Sequence, residues 1–230
     1  MKQITFYLDF VSPYAYLAFE RLPQDLAGLS VAVTYQPVLL GAVLQHHGNR
    51  APADVAPKRE WLYRHVSWLA QQQGLDFSMP KVHPFNPLPL LRLALACDAA
   101  GTPSRHVCTQ IFQHVWQGGE DAADAARLAT LQAALNPARE PNGAEVKQQL
   151  RTVTDAAALA GVFGVPAFAV DGKLFWAWTR CPCCVPTWRA MPGSTGRRGS
   201  RLRRCRRPDH RRPTMLSRES SKVRRQQRLR

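Results

Sequence analysis

The chain has 230 residues, with Lys+Arg 31 against Asp+Glu 16 and a net charge of +15. The excess is confined to one end: residues 1–176 carry 14 basic and 14 acidic side chains, whereas residues 177–230 carry 17 and 2. The overall charge is therefore no argument for a nucleic-acid partner of the body, and no run reaches the ~20 apolar residues of a membrane-spanning helix.

The chain does not open on a basic segment followed by an apolar one. No secretory signal is read, and a reducing cytoplasm is the expected compartment. Cys97 and Cys108 sit in apolar, helix-like surroundings and read as small buried hydrophobes.

Residues 4–10 form a short β-favouring run, apolar with one acid near its end. Ser12-Pro13 then changes the apolar period from two to about 3.6. This is the pattern of strand, sharp turn and helix start, with Ser12 as N-cap and Pro13 at the first helical position, where a missing N–H costs nothing. Such a position meets unpaired backbone N–H groups and the positive end of the helix dipole, which stabilise an anion. On its own spacing Ser12 reads as a helix cap.

The helix is expected over 13–27. Residues 30–36 alternate and are β-branched, giving a second strand and a βαβ unit with parallel pairing. From 37 to 142 the pattern is helical. Leu39, Leu40, Val43 and Leu44 make a short amphipathic piece, broken at 46–52. A helical face covers 58–73, carrying Trp61, Leu62, His65, Val66, Trp68 and Leu69, and Gly74 ends it. An extended, proline-bounded loop follows over 79–87. Further helices are expected over 88–100, 105–117, 122–135 and 152–162. Residues 167–170 and 173–176 are short apolar runs separated by Asp171-Gly172, a strong hairpin signal, so these strands should be antiparallel neighbours.

The order β-α-β, helical block, α-β-β is that of an α/β thioredoxin-like fold with an inserted all-helical subdomain. Residues 1–37 and 151–176 are expected to form the thioredoxin-like domain and 38–150 the insert, with 177–230 an irregular, disordered tail. Val165-Pro166 stands where thioredoxin-like proteins keep a cis-proline. The segments Phe10-x-Ser12-Pro13-Tyr14-x-Tyr16-Leu17, Gly48-Asn49, Pro57-Lys58, Pro84-Phe85-Asn86 and Gly161-Val162-Phe163-Gly164-Val165-Pro166-x-Phe168 together resemble the 2-hydroxychromene-2-carboxylate isomerase family. That family is related to DsbA-like proteins and to kappa-class glutathione transferases. The resemblance covers residues 2–176.

It implies a glutathione-dependent cis-trans isomerase that interconverts 2-hydroxychromene-2-carboxylate and trans-o-hydroxybenzylidenepyruvate in naphthalene-type catabolism. The glutathione thiolate adds to the conjugated carbon, the former double bond rotates, and the thiolate leaves. A thiol-disulfide oxidoreductase needs Cys-x-x-Cys at the helix start, and here the four residues are Ser12-Pro13-Tyr14-Ala15. By resemblance, Ser12 activates the thiolate and Pro13 and Tyr14 line the cofactor. The backbone of Val165 beside cis Pro166 pairs with the glutathione cysteinyl unit, Asn49 contacts glutathione, and Lys58 holds a carboxylate of cofactor or substrate.

On local grounds Asn49 also suits a turn, Lys58 a solvated helix start, and Phe85-Asn86-Pro87 a loop brace. His46-His47 reads as exposed loop, and no metal is expected. The substrate is a small aromatic hydroxy or keto acid, and a homodimer is expected because family members are commonly dimers. A kappa-type glutathione transferase is the alternative with the same site.

The composition changes at residue 177. A basic nucleic-acid-binding arm is one reading. A zinc site from Cys181, Cys183, Cys184, Cys205 and His210 is another, although the spacing fits no common pattern. The reading that accounts for more is a frameshift. Back-translated from Trp176 and shifted by one base, the codons yield Gly-Leu-Asp-Ala-Leu-Pro-Met-Leu-Arg with permitted third bases, an amphipathic helix entry. Residues 177–230 are accordingly expected to be out-of-frame translation. The family's last helix, and an aspartate contacting the γ-glutamyl end of glutathione, would then be missing, leaving apolar sheet surface uncovered and activity impaired.

Overall fold

The first strand, β1 (Lys2–Leu8), buries Ile4, Phe6 and Leu8 on one face, the alternation its sequence calls for. In this computed structural model the structure describes residues 1–176, and the readings placed on 177–230 lie outside the described residues. Helix α1 (Pro13–Asp25) starts with Ser12 as N-cap and Pro13 inside the first turn. Its apolar face buries Ala15, Tyr16, Ala18, Phe19 and Leu22. Strand β2 (Val31–Pro37) pairs parallel with β1, Lys2 opposite Val31 through Leu8 opposite Pro37.

Helices α2 (Leu40–His46), α3 (Ala56–Gln73), α4 (Leu88–Ala96), α5 (Arg105–Trp116), α6 (Ala125–Leu135) and α7 (Ala144–Leu159) follow. Strands β3 (Ala167–Val170) and β4 (Lys173–Trp176) close the described chain as an antiparallel hairpin. Its turn places Asp171 and Gly172 at φ 48° and 72°, which explains the Asp-Gly pair. The sheet order is β2-β1-β3-β4, with β1 parallel to β2 and antiparallel to β3. This is a thioredoxin-like arrangement of mixed α/β class.

Among the boundaries that differ from the sequence pattern, four have a local reason. β1 ends at Leu8 because the Asp9 carboxylate takes up the N–H groups of Val11 and Leu40. α4 stops at Ala96, not 100, where Asp98 Oδ1 accepts from Ala100 N and Thr102 N and forms an Asx-type turn. α6 begins at Ala125, since Asp121 turns the chain by accepting from Ala123 N and Asp124 caps Arg127 N. α7 begins at Ala144 rather than 152. Val146, Leu150 and Ala157 carry its buried stripe from the start, behind a polar Lys147-Gln148-Gln149 run.

Two apolar clusters lie on opposite faces of the sheet, as the alternation of β1 and β3 requires. One holds Phe6, Phe10, Phe19, Phe112, Trp116 and Phe168; the other holds Val38, Val43, Ala157, Val162, Val165 and Ala167, with Tyr7 and Leu174 against it. Phe6 and Phe168 stack at 4.6 Å. Phe112 of α5 meets Phe10 at 4.9 Å and Phe19 at 5.0 Å, so α5 shares a core with β1 and α1. Phe112→Ala should therefore lower unfolding free energy by about 3–5 kcal/mol, the usual cost of emptying a buried aromatic site. Urea denaturation followed by tryptophan fluorescence measures it, and a loss below ~1 kcal/mol would show that this junction is not tightly packed.

Candidate active site

Ser12 stands where β1 hands over to α1. Its backbone is extended (φ −92°, ψ 112°), the geometry of an N-cap, and its Oγ accepts from Ala15 N at 3.2 Å. Ala15 and Tyr16 also donate to Ser12 O at 3.1 and 3.2 Å. Pro13 has no N–H, and the N–H of Tyr14 lies in the first turn, without an intrahelical acceptor. The Ser12 hydroxyl, accepting from Ala15, keeps its own proton for donation. Ser12 is 6% exposed, so these donors converge in a place with little water. Donors without an acceptor, at the positive end of a helix, form a set that suits a thiolate or a carboxylate. In this respect the residues present fit a bound thiol cofactor.

The turn itself is fixed by Asp9 within it and by side chains from distant elements. Asp9, fully buried, accepts from Val11 N at 3.1 Å and from Leu40 N at 2.8 Å. Its carbonyl takes Ser12 N at 3.0 Å. Trp116 Nε1 donates to Phe10 O at 3.0 Å. His83 Nε2 lies 2.8 Å from Val11 O, and Tyr63 O–H lies 2.9 Å from His83 Nδ1. Burial pulls the His83 pKa down. A neutral ring facing a carbonyl carries its proton on Nε2, and the Tyr63 hydroxyl, which donates to His83 O at 2.8 Å, lies beside Nδ1.

The Val165–Pro166 peptide bond is cis, as is His83–Pro84. Pro166 directly precedes β3, whose Ala167 pairs with Tyr7 near the C-terminal end of β1. The register thus brings Val165-Pro166 to the sheet end from which Ser12 departs. Gly164 allows Trp176 to close over this loop, since a Cβ there would stand 2.9 Å from the indole Nε1.

Asn49 is exposed and its N–H closes on Leu44 O at 2.8 Å, so its backbone does serve a turn. That turn is tied to the cis-proline loop through His47 Nε2 and Val162 O, 2.9 Å apart. Lys58 is exposed in the first turn of α3. One and two turns later on the same helix stand Trp61 and His65.

His65 Nδ1 is 2.8 Å from the Tyr14 hydroxyl, which joins α3 to the first turn of α1. Trp61 stacks on His65 at 4.4 Å and Trp68 lies parallel to it at 6.1 Å, both indoles more than half exposed. The structure therefore gathers Ser12, Pro13, Tyr14, Val165 and Pro166 at one sheet end. Asn49 and Lys58 lie on flanking elements tied to it. Asp9, Tyr63, His65, His83 and Trp116 were not singled out from the sequence. Among the described residues no cluster of three or more His, Cys, Asp or Glu could hold a metal ion.

Comparison with known proteins identifies the fold family. A family model described as a DSBA-like thioredoxin domain matches residues 3–182, and the chain belongs to that family. It is 27% identical over 191 residues to glutathione S-transferase kappa 1 of Rattus norvegicus, covering 76% of this chain and 84% of that protein. It is also 27% identical over 194 residues to 2-hydroxychromene-2-carboxylate isomerase of Sphingobium xenophagum, covering 76% and 92%. A solved 2-hydroxychromene-2-carboxylate isomerase structure superposes with TM-score 0.65 at 21% identity, over 76% of this chain and 88% of that one.

Asp9 gives the site a pH signature. Burial pushes its carboxyl up to about 7 from 3.8, against the opposing backbone N–H groups of Leu40, Val11 and Phe10. The folded state holds this proton more tightly than the unfolded chain does. Its contribution to stability is therefore complete below about pH 4 and is lost as pH rises toward the folded value. The slope is up to ~1.4 kcal/mol per pH unit. Asp9→Asn abolishes this titration, so the stability gap between wild type and variant should shrink from about pH 4 to about pH 7 in urea melts. A gap independent of pH would contradict the assignment.

Proposed function

We propose that this chain is a glutathione-dependent enzyme acting on small planar aromatic hydroxy or keto acids. Its reaction is the cis-trans isomerisation of 2-hydroxychromene-2-carboxylate to trans-o-hydroxybenzylidenepyruvate. The observation that carries the reading is Ser12 at the N-terminus of α1, a nearly buried hydroxyl with a free proton where a dithiol enzyme would need cysteine. The chain offers donors for a thiolate at that point and no thiol of its own, since 12–15 are Ser-Pro-Tyr-Ala.

Bound glutathione would supply the nucleophilic sulfur that adds to the conjugated carbon and later departs. The chain's own contribution is electrostatic and geometric. Ser12 Oγ–H and the Tyr14 N–H donate toward the sulfur position, assisted by the α1 dipole, and lower its proton affinity. The Val165 backbone offers N–H and C=O groups to an extended peptide beside Pro166. Asn49 contributes an amide from the adjoining turn. Lys58 attracts a carboxylate, and Trp61, one turn further along α3, presents an exposed indole face to an aromatic ring.

The relation to a kappa-class transferase at equal identity supports a second reading, in which an electrophile stays conjugated to glutathione. Product analysis separates the two. Isomerised substrate without net thiol consumption is expected here, and a stable adduct would favour the transferase.

Ser12→Ala should lower turnover by about a hundredfold, the scale of removing one transition-state donor. Loss of the cap should cost only ~1 kcal/mol of stability, so circular dichroism should report an intact fold. Wild-type turnover in this variant would remove Ser12 from the reaction.

A further inference from the structure

A cavity of about 260 Å³ opens between α2, α4 and α7, separate from the N-terminus of α1. Leu39, Leu88 and Leu150 give it apolar walls. Arg92 of α4 and Lys147 and Arg151 of α7 line it with positive charge, and Asp155 is its one carboxylate. The Nε of Arg92 has no access to solvent and no hydrogen-bond partner. Arg92, Lys147 and Arg151 take part in none of the ion pairs among the described residues, which join Lys2–Asp171, Arg21–Asp25, Lys81–Glu120 and Arg139–Glu145. Lys147 and Arg151 stand four residues apart on one helix face, where like charges repel.

An anion in the cavity would give Arg92 a counter-charge and relieve the repulsion between Lys147 and Arg151. The planar guanidinium fork suits a carboxylate bound through both oxygens. The leucine walls suit an apolar body behind that carboxylate. The volume falls just below the ~300 Å³ at which pockets for larger ligands begin, so a nucleotide is too big.

We propose that this cavity binds a small organic carboxylate, an aryl or short-chain acid, through Arg92, Lys147 and Arg151. The site does not depend on the proposed reaction. Its wall is continuous with the loop behind Asp9, because Leu39 N donates to Thr154 Oγ1 at 3.0 Å and Leu40 N to Asp9 Oδ2 at 2.8 Å. An acid bound there would brace the entry to α2.

Calorimetric titration of the full chain with benzoate tests this, with inorganic phosphate as the second probe. Saturable benzoate binding is expected, weakened about tenfold or more in Arg92→Met, the loss expected for one charge-assisted hydrogen bond. It should weaken severalfold in Lys147→Gln, whose exposed position makes unfolding no explanation, and remain unchanged in Lys173→Ala, an exposed cation of β4. Absence of saturable benzoate binding, or binding indifferent to both Arg92→Met and Lys147→Gln, would overturn the site. Loss of binding in Lys173→Ala would reduce the effect to overall charge and also overturn it. Phosphate binding as tight as benzoate would overturn the ligand class.

Discussion

Four residues of backbone between β1 and α1 have to be held without a regular ladder, and Asp9 within the turn shares that task with side chains from elsewhere. Asp9 Oδ1 takes Val11 N, Asp9 O takes Ser12 N, Trp116 takes Phe10 O and His83 takes Val11 O. Buried backbone groups must be paired, and here the pairing also aims Ser12. The helices between the two halves of the sheet thus serve the site directly. α5 brings Trp116, α3 brings Tyr63 to orient His83, and α2 begins on the second oxygen of Asp9. Displacing any of these would loosen the turn before it altered a residue facing a ligand.

The electrostatics follow from the same turn. A carboxylate directly behind a helix N-terminus would compete with an anion in front of it. Burial keeps the Asp9 carboxyl largely neutral at pH values below about 7, which leaves the first-turn N–H groups of α1 available to a ligand. In the proposed reaction, the absence of cysteine at 12–15 shifts the chemistry from the chain to a small thiol. In this arrangement the protein supplies donors, a dry turn and an aromatic face.

Much of this was readable from local chemistry. Ser12-Pro13 marked the start of α1, Asp171-Gly172 marked the hairpin, and Gly74 marked the end of α3 with φ 63°. Each is a short-range rule of capping or turn geometry, and each held to within a residue or two. The readings that needed long-range contacts did not emerge. Asp9 works through Leu40, 31 residues away, His83 through Val11 at 72, and Trp116 through Phe10 at 106. Alone in the sequence, each looks like a strand-end acid, a loop histidine or a core aromatic. The start of α7 was hidden for a different reason: a polar face at 147–149 masked a buried stripe already begun at Val146. The readings placed on 177–230 concern residues outside the described ones: the arm rests on composition, the zinc site on Cys and His positions, and the frameshift on back-translation.

The central claim is that the N-terminus of α1, through Ser12, stabilises the thiolate of bound glutathione. The direct measurement is a pH titration of thiolate ultraviolet absorbance for glutathione saturating the protein, with free glutathione as reference. A thiol free of perturbation titrates near ~8.5. The account predicts that the bound thiol titrates at least about one unit lower, the size of shift expected from a helix N-terminus and one hydroxyl donor. A bound thiol titrating with the free one, or glutathione that does not bind at all, would contradict it.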